Sequence, residues 1–421
     1  MFFFSHIYLC CVKTLKQHLK LNNEQYKLIK SYCLHSNSLY NCGLYIIKQH
    51  YKETTKYIGF NQLYHEMKNN VHYQELPSFV AQQIFRLCDK NYRAFFSLLR
   101  RKNTGKYIGP INEPHFRKPN SEFVLVFDNT RVKVRKNELK LTKNLKFKFT
   151  HDLKGTIKQT IIKPRGGKYY EISIQYEPNE STPLPQKDNH RYLSIDLGLN
   201  NLAACFSNVG PSFLIAGRPL KAYNQFYNKR AANLRSQLQT KNGKKWSNRM
   251  SRINVCRDNF IDTYFNQCVA HIRKYCLKHK ISKVICGYNE SWKQNIDMGK
   301  VNNQKFCAVP HFLFKQKLQN KLAECGIETE LHEESHTSKC SFLDKEKIEH
   351  HDEYMGKRIK RGLFKSKDGK LINADINGAA NIMRKVVPDA AVYRGRGIER
   401  FIVNPSVFNP LTRIEPEKQI L

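Results

Sequence analysis

The stretch Tyr192–Asn208, YLSIDLGLNNLAACFSN, constrains the fold more than any other part of the chain. An apolar run, Tyr192-Leu193-Ser194-Ile195, ends on Asp196. Gly198 and the Asn200-Asn201 pair then turn the chain into a second apolar run, Leu202 to Phe206. Two strand-like runs around a Gly/Asn cluster predict a β-hairpin. Asp196 then stands at the end of a buried strand. A carboxylate there is costly unless something cationic neutralises it. A divalent metal ion does so, provided other acids come to meet it.

Two such acids lie far downstream. In KVICGYNESWKQ, Val284-Ile285-Cys286 reads as a short buried strand, and Glu290 sits just past its end. Open α/β sheets place ligands at such strand ends. In LINADINGAANIMRKV, Asp375 opens a helical pattern carried by Ala379, Ile382, Met383 and Val386. Three acids at strand ends and a helix start suit a two-metal phosphodiester site, in which one ion activates water and the other stabilises the leaving oxygen. Hard ions such as Mg²⁺ take oxygen ligands and keep several waters.

The motifs SIDLGLNN, CGYNESWKQ and TSKCSFLD…GKRIKRGLF…INADINGAANI resemble the split RuvC motifs of TnpB. TnpB proteins are transposon-encoded RNA-guided DNA endonucleases, related to Fanzor proteins and type V CRISPR effectors. The likeness rests on motifs in the C-terminal half and on pattern alone in the N-terminal half. It implies a multidomain α+β chain: an RNase H-like (RuvC) nuclease domain with split motifs, and a small β-barrel wedge domain with an inserted helical recognition lobe. It makes Asp196, Glu290 and Asp375 the catalytic, metal-binding acids, with two Mg²⁺ ions for which Mn²⁺ can substitute. It further implies a guide RNA from the element, a DNA target engaged as double and single strands, and cutting beside a short adjacent motif. The expected divisions are a first barrel strand in 1–22, the helical lobe in 23–102, the rest of the barrel in 103–182 and a linker in 183–189. The nuclease core follows in 190–332, with a bridge-like helix. A degenerate zinc-ribbon insertion occupies 333–372, the third-motif helix 373–388, and a tail 389–421.

Charge points the same way. The chain carries 72 Lys and Arg against 35 Asp and Glu, a net +37, which calls for a polyanionic partner. The basic residues are spread along the chain, so a groove is favoured over a basic arm. From Lys106 to Glu177 apolar residues alternate with basic or polar ones, as in RVKVRKN and KYYEISIQYE, the period of strands. A long helical stretch from about Leu220 to His279, broken near Asn242–Trp246, carries Lys229, Arg230 and Arg235, then Arg249, Arg252 and Arg257. These form a phosphate-facing stripe, with a merely solvated face as the alternative for any one of them. Trp292 and Lys293 can stack on a base and reach a phosphate. Lys357, Arg358, Lys360 and Arg361 form a dense basic cluster.

The chain departs from the resembled pattern in the 333–372 region. Many TnpB proteins hold a four-cysteine zinc ribbon there. This chain has only Cys340, with His332, His336, His350 and His351 nearby and no ribbon spacing, so zinc is not expected. Thirteen scattered cysteines read as reduced thiols of an intracellular protein. The location is cytoplasm or nucleoid in a bacterium, nucleus or viral factory otherwise. The apolar N-terminus, MFFFSHIYLCCVK, is too short to span a bilayer, and no membrane partner is expected. Two rival functions stay open: an unguided RuvC-like resolvase or transposase-associated nuclease, and an RNA-guided repressor whose nuclease is silent.

Overall fold

The computed structural model describes residues 12–130, 132–135, 138–148, 153–179, 183, 185–243, 246–288, 309–389 and 402–412. It divides into two compact units. The first comprises Met1–Ser181 with Ser247–Arg252, the second Thr182–Trp246 with Ile253–Leu421.

The first unit opens with β1 (Lys13–His18). Four helices follow: α1 (Asn23–Thr54), α2 (Phe60–Met67), α3 (Val71–Gln74) and α4 (Ser78–Asn103). Then come β2 (Leu125–Asp128), β3 (Lys133–Arg135), β4 (Glu138–Lys140), β5 (Lys146–Lys148), β6 (Gly155–Pro164) and β7 (Tyr170–Pro178). A capping box starts α1. The Asn22 side chain accepts from Gln25 N (2.8 Å), and the Gln25 side chain accepts from Asn22 N (3.2 Å). The helices bury Leu44, Leu63, Ile84, Phe85 and Tyr92 in a core of their own.

The strands anticipated as one barrel hydrogen-bond as two sheets, ordered β1-β7-β6-β2 and β3-β4-β5. Both feed one core, with Leu125, Ile162 and Ile172 from the larger and Leu139 and Phe147 from the smaller. Gln17 of β1 donates to the Lys148 carbonyl of β5, and Gln25 of α1 to that of Lys146. The early strand does join the later ones, since β1 runs antiparallel to β7 from Lys13↔Tyr176 to His18↔Glu171.

The second unit is a mixed sheet between helices. Its elements are β8 (Tyr192–Leu197), β9 (Asn201–Ser207), β10 (Phe213–Ala216), α5 (Arg218–Asn242), α6 (Asn248–Lys278), β11 (Lys283–Tyr288), α7 (His311–Ala323) and β12 (Glu328–Glu333). There follow β13 (Lys357–Lys360), β14 (Leu363–Lys365), β15 (Leu371–Asn373), α8 (Ala374–Val386) and β16 (Ser406–Phe408). The main sheet runs β12-β11-β8-β9-β10-β16. The hairpin predicted at Gly198–Asn201 is β8–β9, and β11 lies parallel beside β8. One face packs on Tyr264, Phe265 and Ile272 of α6 and on Phe314 and Leu318 of α7. The other face meets Ile376, Ala379, Ala380 and Met383 of α8. Small residues let α8 come close, and Ser194 in the middle of β8 satisfies its hydroxyl on the Ala379 carbonyl at 2.6 Å.

Two sequence expectations change here. The apolar face that the sequence of α7 suggests is Phe312, Leu313, Leu318 and Leu322. The buried face is His311, Phe314, Lys315, Leu318 and Leu322, the i, i+3, i+4, i+7 stripe, and Phe312 is left 66% exposed. The tail, which carries no motif, supplies a sixth strand: β16 pairs parallel with β10 through Phe213↔Ser406, Leu214↔Val407 and Ile215↔Phe408. Phe408 stacks on His271 with ring centroids 3.9 Å apart. No helix among the described residues is long and apolar enough to cross a membrane.

Candidate active site

The hairpin and the start of α8 bring two of the three predicted acids together. Asp375 sits in the first turn of α8, where Asn373 caps the helix by accepting from Asp375 N (3.0 Å) and Ile376 N (3.2 Å). Asn201, at the hairpin turn, donates its amide to Asp375 Oδ2 at 2.7 Å. Asp196 faces the same helix. A methyl group on Gly378 would lie 2.7 Å from Asp196 Oδ2, so only glycine lets α8 and this carboxylate approach so closely.

Glu290, Trp292 and Lys293 lie outside the described residues. The acid that the described structure sets beside Asp196 is Glu334, which sequence reasoning missed. It follows β12, which pairs parallel with β11 in continuous register from Lys283↔Glu328 to Tyr288↔Glu333. Glu334 therefore emerges from the same edge of the sheet as the end of β11. Gly287 in β11 makes room for it, since a methyl group there would collide with Glu334 Oε2. The signal was a carboxylate just past the end of a strand, the rule that selected Asp196 and Glu290.

The acids feel one another. Desolvation, then Glu334 and Asp375, push the Asp196 carboxyl well above its ordinary range, while Arg358 pulls it back. Desolvation also raises Glu334, to about 6, against the nearby ammonium of Lys315. That lysine is only 7% exposed, with Nζ 4.1 Å from the centre of the Tyr288 ring, and burial lowers its own pKa. Arg358 donates to Asp375 Oδ1 at 3.1 Å.

A pH dependence follows. Glu334 titrates near 6 when folded and at 4.5 in its ordinary state, so its ionised form opposes folding above about pH 6. That cost, up to about 2 kcal/mol, is relieved as pH falls from 6 towards 4.5, and Asp196 acts in the same direction. Urea unfolding of the metal-free protein should therefore show wild type gaining stability over Glu334→Gln across this window. A constant difference between the two would rule the coupling out.

The donor set fits a hard divalent cation. All three groups are carboxylates, and Glu334 Oε2 is buried with no hydrogen-bond partner. Among the described residues no three acidic, histidine or cysteine side chains already stand as a metal cage, and Arg358 supplies the positive charge on Asp375.

Side-chain hydrogen bonds tie the 333–372 region to α8. Asn377 accepts from Phe342 N (3.0 Å) and donates to the Cys340 carbonyl (2.9 Å). Asn381 donates to the Thr337 and Cys340 carbonyls. Both asparagines fasten the insertion to α8. Glu346, 2% exposed, accepts from Ser341 N (2.6 Å) and Met355 N (2.8 Å). Cys340 donates its thiol to the Glu349 carbonyl at 3.6 Å, and His351 bonds the Lys347 carbonyl.

Of the basic residues, Lys229, Arg230, Arg235, Arg249 and Arg252 are exposed on α5 and α6, and Lys357, Lys360 and Arg361 are exposed around β13. Arg257 differs. It donates to Asn224 at 2.7 Å and lies over the Tyr227 ring, so it holds α6 to α5.

The family OrfB_IS605, described as probable transposase, matches residues 173–293. The Cas12f1-like TNB domain matches 311–382, from α7 through α8. The TnpB-like protein ORF457 of Acidianus two-tailed virus is 23% identical over 352 residues, covering 75% of this chain and 74% of that protein. The solved Cas12f1–sgRNA–target DNA complex has a protein chain of similar fold. It aligns at a TM-score of 0.51 with 16% identity, over 86% of this chain and 83% of that one.

Proposed function

Taking as premise that the chain is a TnpB-type protein, we propose that it is an RNA-guided, Mg²⁺-dependent DNA endonuclease of a mobile element. The observation that carries this reading is that Glu334 and Asp375 both act on the buried Asp196 carboxyl, adding to the desolvation that raises it. A silent, binding-only protein has no need to hold three acids against one another. Bound divalent ions would supply charge stabilisation at the phosphate and lower the pKa of the attacking water. The chain's own residues do the rest. Asn201 fixes the Asp375 carboxylate from one side. Lys315 offsets the charge of Glu334. Arg358 can exchange Asp375 for a phosphate oxygen once metal neutralises the acids. Sequence choice falls to pairing between guide RNA and target, with the protein reading a short flanking motif and backbone shape. The exposed lysines and arginines of α5, α6 and β13 hold nucleic-acid backbone.

The test begins with RNA. Protein expressed beside its native flanking DNA should copurify with one abundant RNA from that locus. The loaded protein should then cut a matching duplex with Mg²⁺, and Asp196→Ala should bind that duplex without cutting it. Cutting by RNA-free protein would favour the unguided resolvase instead.

A further inference from the structure

A cleft of about 620 Å³ opens beside Asp375. Arg218 at the start of α5, Arg361 in the β13–β14 turn, and Val407 and Asn409 of the C-terminal segment line it. These come from three stretches far apart in sequence. Among the described residues, no ion pair or hydrogen bond engages the guanidinium of Arg218 or Arg361, whereas Arg358 is held by Asp375. Arg218 also stands at the N-terminal end of a 25-residue helix whose Gly217 offers no side-chain cap. A cation there faces the positive end of the helix dipole and is disfavoured until an anion joins it. Asn409 spends its side-chain oxygen on Leu411 N (3.1 Å), which leaves its amide N–H groups as donors. The cleft is thus lined by a carboxylate and by unsatisfied cationic and amide donors. Its volume suits a nucleotide, not a duplex.

We propose that this cleft is a subsite for the phosphodiester next to the one cut, on the substrate DNA strand, and that the C-terminal strand β16 forms one of its walls. The inference rests on the nuclease reading above. It adds that the motif-free tail belongs to the substrate-binding surface. Asp375 would help to hold the metal that takes the reacting phosphate, so a strand threaded there would place its neighbouring phosphate beside the two arginine forks that line the cleft. Guanidinium pairs match phosphate oxygens bidentately. Val407, 53% exposed, offers an apolar surface to the sugar.

The full chain, loaded with its guide RNA, is tested in two ways. Binding of a short single-stranded DNA in Ca²⁺ is followed against salt. The double variant R218Q/R361Q should bind about ten-fold more weakly, with a slope of log affinity on log salt shallower by about 1.4, for two lost phosphate contacts. Target DNA carrying single methylphosphonates is then scanned across the cut. Neutralising the phosphate beside it should weaken wild type and leave the double variant indifferent. For the wall, Val407→Glu should weaken binding and Val407→Lys should not. Equal loss from both, an unchanged salt slope, or sensitivity that tracks the guide RNA instead of the DNA strand would overturn the subsite. The salt titration needs no cleavage, so a protein that binds but never cuts sinks the nuclease reading without obscuring this result.

Discussion

A Glu334→Gln variant is expected to lose cleavage by roughly 10³-fold or more while still binding guided target DNA, because a metal-site carboxylate supplies several kcal/mol of transition-state stabilisation. The substitution keeps size and polarity and removes only the charge. It also relieves the repulsion that Glu334 exerts on Asp196, so the variant should be no less stable than wild type. Loss of cutting would then reflect chemistry and not unfolding. Glu290→Gln is the companion measurement. If Glu334, which fills the space left by Gly287, is the third acid in place of Glu290, single-turnover cleavage should persist in this variant within about ten-fold. The opposite pattern, with Glu290→Gln dead and Glu334→Gln active, would return the third acid to Glu290.

The second large effect concerns stability. Glu346→Ala should destabilise the second unit by about 3 kcal/mol, the cost of stranding buried groups that bonded a charge. Two backbone N–H groups, of Ser341 and Met355, lose their acceptor. At the size of this unit the loss corresponds to a melting point lower by about 6–12 °C. A chelator is the control. With Mg²⁺ in excess, a zinc-selective chelator should leave the wild-type melting curve where it is, because the loop is closed by a carboxylate and by Asn377 and Asn381. A fall in melting point with that chelator, or none in Glu346→Ala, would show that something other than Glu346 holds the insertion.

The sequence was most legible where local chemistry decides structure. The Gly/Asn turn placed Asp196 on a hairpin, and the helical period after Asp375 placed that acid on a capped first turn. Both signals lie within a few residues. Glu334 is legible only through the β11–β12 pairing, which joins residues about 45 apart, and Glu333-Glu334 alone reads as a solvated loop. The tail strand failed for a related reason: Ser406–Phe408 is too short to show any period. Alternation identified the strands of the first unit but not their partners, so one barrel was expected where hydrogen bonding makes two sheets. Arg257 illustrates the limit of charge patterning, since offset along a helix does not tell a phosphate contact from a bond to Asn224.

The parallel pairing of β10 with β16 has a consequence for how the protein is made. Phe213 must wait for Ser406, so on the ribosome the sheet keeps an open edge until roughly 190 further residues have been made. Closing so long a loop is slow, because its entropy is lost before the contact rewards it. Unpaired apolar edges in nascent chains invite misassembly. The stack of Phe408 on His271 would then be among the last native contacts to form. The sheet is thus finished only after Ser406–Phe408 has emerged, and a chain stopped before that strand would keep an aggregation-prone edge.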